Sequence, residues 1–208
     1  MRRPLDIQGH RGARALFPEN TLEGFVAASD LGVIAFELDV GMTADGVVVI
    51  SHDLALNPDI VRDASGAWLT QRGPTIWSLT HAELGRYDVG RLRPGTLAAG
   101  RFPDQRPHDG VRIPTLASVL AALPDSRFTI EIKTSPARPD WTAPAHDLAD
   151  ATLAVINRAG AVDRVVVEAF DWRVQRHIRG KRPDIRLAWL THAKTAAEAA
   201  RWWNGARV

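Results

Sequence analysis

The chain has 208 residues, 45% of them hydrophobic, and 26 basic side chains nearly balance 24 acidic ones for a formal charge of +2. That length supports one substantial core and gives no argument for two, so residues 1–208 read as one domain, and the balanced charge leaves no electrostatic footprint for nucleic acid. The absence of cysteine removes disulfides, thiolate nucleophiles and thiolate metal sites, leaving carboxylate, histidine and hydroxyl chemistry.

In chain order, the N-terminal MRRPLDIQGHRG opens with two arginines after Met1 but has too few apolar residues for a signal-peptide core, and no later run approaches the roughly 20 apolar residues of a membrane span. The chain therefore reads as cytoplasmic and without membrane insertion. A leader cleaved from a longer precursor would leave the same sequence, so a periplasmic location stays open. Strands are predicted at 5–9, 34–40, 47–51, 128–132, 164–170 and 186–190, where short Val-, Ile- and Leu-rich runs occur. Helices are predicted at 20–31, with Asn20 or Thr21 as cap, and at 115–122, 145–159, 172–180 and 195–203. Alternation of strand and helix implies mostly parallel pairing with right-handed crossovers. From 54 to 114 the pattern gives way to Gly, Pro, Arg and Asp, which reads as an inserted subdomain or long loop. Its arginines Arg91, Arg93, Arg101 and Arg106 are positioned to meet an anion, although such clusters are more often a solvated face.

The segment FELDV at 36–40 places Glu37 and Asp39 on one side of a strand, about 7 Å apart. Strands covered on both faces normally read apolar throughout. Two carboxylates on an inward face are costly unless a cation compensates them; an edge strand with a wet face is the plainer alternative. IEIK at 130–133 repeats the device with Glu131 and Lys133, for which a buried Glu–Lys pair is the plainer alternative. His10 and His52 each stand where a strand gives way to a loop, and a histidine pair can hold one proton donor and one acceptor near neutral pH. His81, His108, His146, His177 and His192 read as surface or satisfied core residues. Three carboxylates, Glu37, Asp39 and Glu131, favour a divalent cation bound through oxygen, Mg²⁺ or Ca²⁺, over zinc. Arg11 and Lys133 add cationic contacts for an anion at the same place. This set suggests phosphoryl transfer and also admits other metal-assisted hydrolysis.

GHRGARALFPENT at 9–21, ELDVGMTADGVVVISHD at 37–53 and EIK at 131–133 resemble the glycerophosphodiester phosphodiesterase family in order and spacing. VVVEAFD at 165–171 is similar to a family strand that ends in an aromatic residue, and IPTL at 113–116 to the segment that re-enters the barrel after the insertion. The resemblance implies a TIM-type (β/α)₈ barrel, with a small insertion after the third strand, that hydrolyses deacylated phospholipids of the glycerophosphocholine and glycerophosphoethanolamine kind to glycerol 3-phosphate and an alcohol. It implies His10 and His52 as general acid and base, Glu37, Asp39 and Glu131 as metal ligands, and Arg11 and Lys133 as phosphate contacts. Glu19 and Asn20 would support the first loop, and Phe170 would line the pocket against the glycerol carbons. The implied partner is a small-molecule glycerophosphodiester. A barrel of this type usually has about 250 residues and eight strands, whereas six are predicted here, so the expectation is a barrel whose last two strands are missing from this chain. Two alternatives accompany this reading: a related barrel phospholipase acting on another phosphodiester, and a phosphodiester-binding protein without turnover.

Overall fold

The computed structural model describes residues 7–191. The predicted helix 195–203, with Trp202 and Trp203, His192 and the first residues of the predicted strand 5–9 lie outside the described residues. The chain runs β1 (Gly9–His10), α1 (Leu22–Asp30), β2 (Ala35–Met42), β3 (Val48–Ile50), α2 (His81–Leu84), α3 (Leu97–Arg101), α4 (Leu116–Ala122), β4 (Arg127–Ile132), α5 (Ala145–Arg158), β5 (Val165–Ala169), α6 (Trp172–Lys181) and β6 (Arg186–Trp189). Five strands lie parallel in the order β1-β2-β4-β5-β6.

Helix α1 starts because the Thr21 side chain accepts a hydrogen bond from the Gly24 amide, with Glu23 in the first turn favouring the positive helix end. Strand β2 alternates: Phe36, Leu38 and Val40 are fully buried and join the main core. Phe36 meets Phe25 of α1 edge-on at 5.6 Å and Phe128 of β4 at 5.9 Å. Leu38, Ile130 and Val167 stand side by side in register on three neighbouring strands. By the same alternation, Glu37, Asp39, Glu131 and Glu168 point to the opposite face of the sheet.

One pairing departs from the parallel expectation. Strand β3 is antiparallel to β2, pairing Val40 with Ile50 and Met42 with Val48. The five residues from Thr43 to Val47 are too few for the crossover that a parallel partner requires. They form a turn in which Thr43 donates its amide to the Val47 carbonyl and Gly46 takes a φ of 80°. The third predicted strand is thus a hairpin arm. Among the described residues, the parallel sheet ends at β1 and β6 and does not close.

The stretch from 54 to 114 has more structure than a loop. Val49, Leu56, Val61, Ile76, Leu84, Val89, Val111 and Ile113 form a second apolar cluster. Helix α2 starts with a reciprocal capping box between Thr80 and Glu83, and Thr96 caps α3. Arg62 exchanges both backbone hydrogen bonds with Asp88, and its guanidinium bridges Asp88 and Asp109. Two of the arginines considered for anion binding are committed here: Arg91 pairs with Asp109 through Nε at 2.6 Å, and Arg93 donates to the Leu69 carbonyl at 3.1 Å. The segment returns to the sheet where Ile50 donates to the Pro114 carbonyl.

Candidate active site

Register places Asp39, Glu131 and Glu168 side by side on β2, β4 and β5, near the C-terminal ends of these parallel strands, with Glu37 one pleat earlier beside His10. In open or closed parallel α/β sheets, ligand sites gather at these strand ends. His10, Arg11, Glu37, Asp39, Lys133 and Glu131 form one connected network. His10 Nε2 lies 3.4 Å from Glu37 Oε2, which also accepts the Arg11 amide at 3.1 Å. The Arg11 guanidinium donates to Glu19 at 2.9 Å and lies 3.4 Å from Asp39 Oδ2. Lys133 Nζ donates to Glu131 at 2.8 Å and stands 3.5 Å from Asp39 Oδ1.

The loop after β1 holds its shape at a conformational cost. Arg11 and Asn20 both have φ of 54°, where residues other than glycine are uncommon. Both are fixed by backbone bonds: Arg11 donates to the Glu37 carbonyl and Asn20 to the Arg11 carbonyl. The Asn20 amide then donates from Nδ2 to Asp39 Oδ2 at 2.9 Å. The sequence reading of Asn20 as a loop support is therefore joined by a direct contact to a site carboxylate.

His52 lies two residues past β3. Its Nδ1 is 2.9 Å from Asp53 Oδ1, and Asn57 donates to the other Asp53 oxygen at 2.6 Å. A carboxylate at Nδ1 fixes the ring orientation and tautomer, leaving Nε2 for chemistry. Burial opposes the charge on Asp53, but the hydrogen bonds from His52 and Asn57 keep its carboxyl below the usual range. The charge of His52 acts on both His10 and Glu131, so the two histidines share one electrostatic environment. Beside His52 lies a cavity lined by Glu19 and Asn20 and, from the inserted stretch, by Leu56, Ile60, Val89 and Ile113. Phe170 directly follows β5 and is partly buried.

Titration is displaced throughout this face. Burial, reinforced by the charge of Asp39, pushes Glu37 up to about 8. Burial raises Glu131 against the pull of Lys133, and burial with the charges of Glu131 and Asp39 pushes Glu168 up to about 7. Burial and the neighbouring Arg14 and Arg11 lower His10, favouring its neutral form.

Oxygens of Glu37, Glu131 and Glu168 all lie within 4.8 Å of one another. Asp39 is 1% exposed, yet its Oδ1 has no hydrogen bond. Converging carboxylates and an orphaned buried oxygen suit a divalent cation bound through oxygen, which would relieve their mutual repulsion. Glu168 was not singled out in the sequence. The signal was present, because one carboxylate interrupts the apolar run VVVEAF just as Glu37 and Asp39 interrupt β2.

Residues 10–207 match the Glycerophosphoryl diester phosphodiesterase family. A Mycobacterium tuberculosis protein named as a glycerophosphodiester phosphodiesterase is 32% identical over 203 residues, covering 93% of this chain and 62% of that protein. A crystal structure from Silicibacter pomeroyi, assigned to the glycerophosphoryl diester phosphodiesterases, superposes with a TM-score of 0.84 at 36% identity, over 90% of this chain and 64% of that one. An Oleispira antarctica phosphodiesterase, solved with its product sn-glycerol-3-phosphate, shares the fold with a TM-score of 0.72 at 21% identity, over 96% of this chain and 71% of that one. The chain thus spans about three fifths of the length of the first two relatives. Its parallel α/β sheet is the TIM-type architecture expected from the sequence, and the chain belongs to the glycerophosphoryl diester phosphodiesterase family.

Proposed function

We propose that this chain carries the active site of a cation-dependent glycerophosphodiester phosphodiesterase, releasing glycerol 3-phosphate and an alcohol from deacylated phospholipids of the glycerophosphocholine and glycerophosphoethanolamine kind. The observation that supports this most strongly is the meeting of His10 with Glu37, Asp39, Glu131 and Lys133 at the strand ends, with His52 close enough to act on the same groups. The product bound by the Oleispira relative is in keeping with the same chemistry.

Glu37, Asp39 and Glu131 would hold Mg²⁺ or Ca²⁺, which when bound supplies Lewis-acid polarisation of the phosphoryl group. Arg11 and Lys133 are engaged with carboxylates, but a guanidinium has five N–H donors and an ammonium three. Each retains donors for phosphate oxygens. One histidine accepts the proton of the glycerol 2-hydroxyl as that oxygen attacks phosphorus, and the other protonates the departing alcohol oxygen. A cyclic phosphate results, and water opens it with the two roles exchanged. Neutral His10, favoured by burial and by Arg14 and Arg11, is suited to accept the first proton. His52, backed by Asp53, is suited to carry a proton to the leaving group.

The test is incubation with glycerophosphocholine, with and without a chelator, following glycerol 3-phosphate. Release that the chelator abolishes is the expected result. Phosphocholine as product would place cleavage on the other side of phosphorus, and binding without product would mark a phosphodiester-binding protein. A substrate without the 2-hydroxyl should not turn over; normal turnover of that analogue would overturn the cyclising step. No helix of the described residues is long and apolar enough to cross a membrane, and a water-soluble diester needs none.

A further inference from the structure

We infer that Glu168 is a further ligand of the divalent cation, seated on β5 beside the carboxylates of β2 and β4; this inference rests on the cation-dependent reading above. Its motivation is geometric. Glu168 is in register with Glu131, which is in register with Asp39, so three adjacent parallel strands present a carboxylate at the same level. An oxygen of Glu168 lies within 4.8 Å of oxygens from both Glu131 and Glu37.

The partners of each carboxylate separate Glu168 from its neighbours. Asp39 has Asn20, Arg11 and Lys133, Glu131 has Lys133, and Glu37 has the Arg11 amide and His10. Among the described residues, the Glu168 side chain has neither a hydrogen bond nor an ion pair. It is partly buried in the run VVVEA, where Val165, Val167 and Ala169 are buried in the core and Glu168 faces away from it. The buried Asp39 Oδ1, without a hydrogen bond and with Lys133 Nζ no nearer than 3.5 Å, is the second sign that a further positive partner belongs at this level. Among the described residues, Arg11, Arg14 and Lys133 are the permanent cations acting on Glu37, Asp39, Glu131 and Glu168, and a divalent cation would further offset the repulsion among these four carboxyl groups. A purely structural glutamate here would be expected to have a donor. Glu168 has carboxylates beside it and no side-chain donor, with the charge of Lys133 acting on it less than those of Glu131 and Asp39, and an ion bound through several oxygens accepts one more readily, since Ca²⁺ takes about 6–8.

The experiment measures ion binding rather than turnover. Ca²⁺ affinity is determined by calorimetry, and bound water is counted from Tb³⁺ luminescence lifetimes in H₂O and D₂O, for the unaltered chain, Glu168→Ala and Glu131→Ala. Glu168→Ala should weaken Ca²⁺ binding at least about tenfold and add water to bound Tb³⁺. Without metal it should melt no lower than the parent, because a like-charged neighbour has been removed. Affinity and hydration unchanged in Glu168→Ala, while Glu131→Ala loses binding, would overturn this assignment alone. No cation binding by the unaltered chain would overturn the reading of the site and this assignment with it. If Glu168→Ala does not fold, Glu168→Leu, which fills the volume without an oxygen, is judged by the same measurements.

Discussion

Asn20 and Asp39 are joined by a 2.9 Å hydrogen bond from Nδ2 to Oδ2, and only 5% of one residue and 1% of the other is exposed. The bond ties the strained loop after β1 to a site carboxylate on β2, so one residue supports both stability and chemistry. Removing a partner from a buried, charged acceptor costs about 1–3 kcal/mol. Placing an ordinary side chain at Asn20's φ of 54° adds about 1 kcal/mol or more. Asn20→Ala should therefore lower unfolding free energy by roughly 2–4 kcal/mol. Asn20→Gly, which accepts the backbone angle, should lose only the hydrogen-bond part. Urea melts of the two variants separate these contributions, and equal losses would show that the backbone angle is unimportant.

The raised carboxyl groups predict an unusual pH dependence for metal-free protein. Glu37 ordinarily ionises near 4.5 but is pushed up to about 8 by burial and Asp39, and Glu168 up to about 7 by burial and the charges of Glu131 and Asp39. Between the unfolded and folded values the native state binds more protons, so this contribution to stability is full below about 4.5 and is lost as pH rises towards 8. With a chelator present, melting temperature should fall from about pH 5 to about pH 8 and then level. Cation binding expels those protons, so stabilisation by Mg²⁺ or Ca²⁺ should grow over the same window. A metal-free melting temperature that rises across it would contradict the burial of these groups.

The parallel sheet and its acidic face are legible in the sequence, the direction of β3 and the inserted stretch less so, and particular residues show why. Glu37, Asp39 and Glu131 were legible because strand alternation turns two neighbouring residues to opposite faces, and a carboxylate on a covered face needs a reason. Glu168 meets the same test, but one carboxylate in VVVEAF is a weaker signal than the pair in β2. The reversal of β3 was signalled by Asp45-Gly46, a hairpin turn pair, yet its apolar run reads the same in either direction. The inserted stretch reads as either a subdomain or a long loop because its cluster draws residues from far apart, from Val49 to Ile113, without local periodicity. The cost of placing Arg11 and Asn20 at positive φ could not be read from residue type, since it arises only where β1, β2 and the loop meet.

His52 and Asp53 predict a graded effect on turnover. His52→Ala removes a proton-transferring group and should cost about 10²–10⁴ in kcat. Asp53→Asn keeps the ring but replaces the carboxylate 2.9 Å from Nδ1 with an amide that is a poorer partner for the protonated form. Its kcat should lie between those of the parent and His52→Ala. The pH profile should shift as well, because the ring loses the carboxylate charge 2.9 Å from its Nδ1. Steady-state rates on glycerophosphocholine over a pH series test this, and an unchanged profile in Asp53→Asn would remove Asp53 from the mechanism.

Gly9 links packing to chemistry most directly. A methyl group on its Cα would stand 2.0 Å from the Gly12 carbonyl oxygen and 3.0 Å from the Phe36 ring. The oxygen belongs to backbone that cannot rotate away like a side-chain tip, so the loop must move. Overpacking of this kind costs about 1–3 kcal/mol. The displacement falls between His10, the next residue, and Arg11, whose amide holds both the Glu37 carbonyl and its carboxylate. Gly9→Ala should therefore lose turnover out of proportion to stability, since reacting groups tolerate about 1 Å of misplacement only at roughly a hundredfold cost in rate. Kinetics below the melting transition provide the check. A variant that melts lower but turns over normally would show that the loop absorbs the methyl without moving His10.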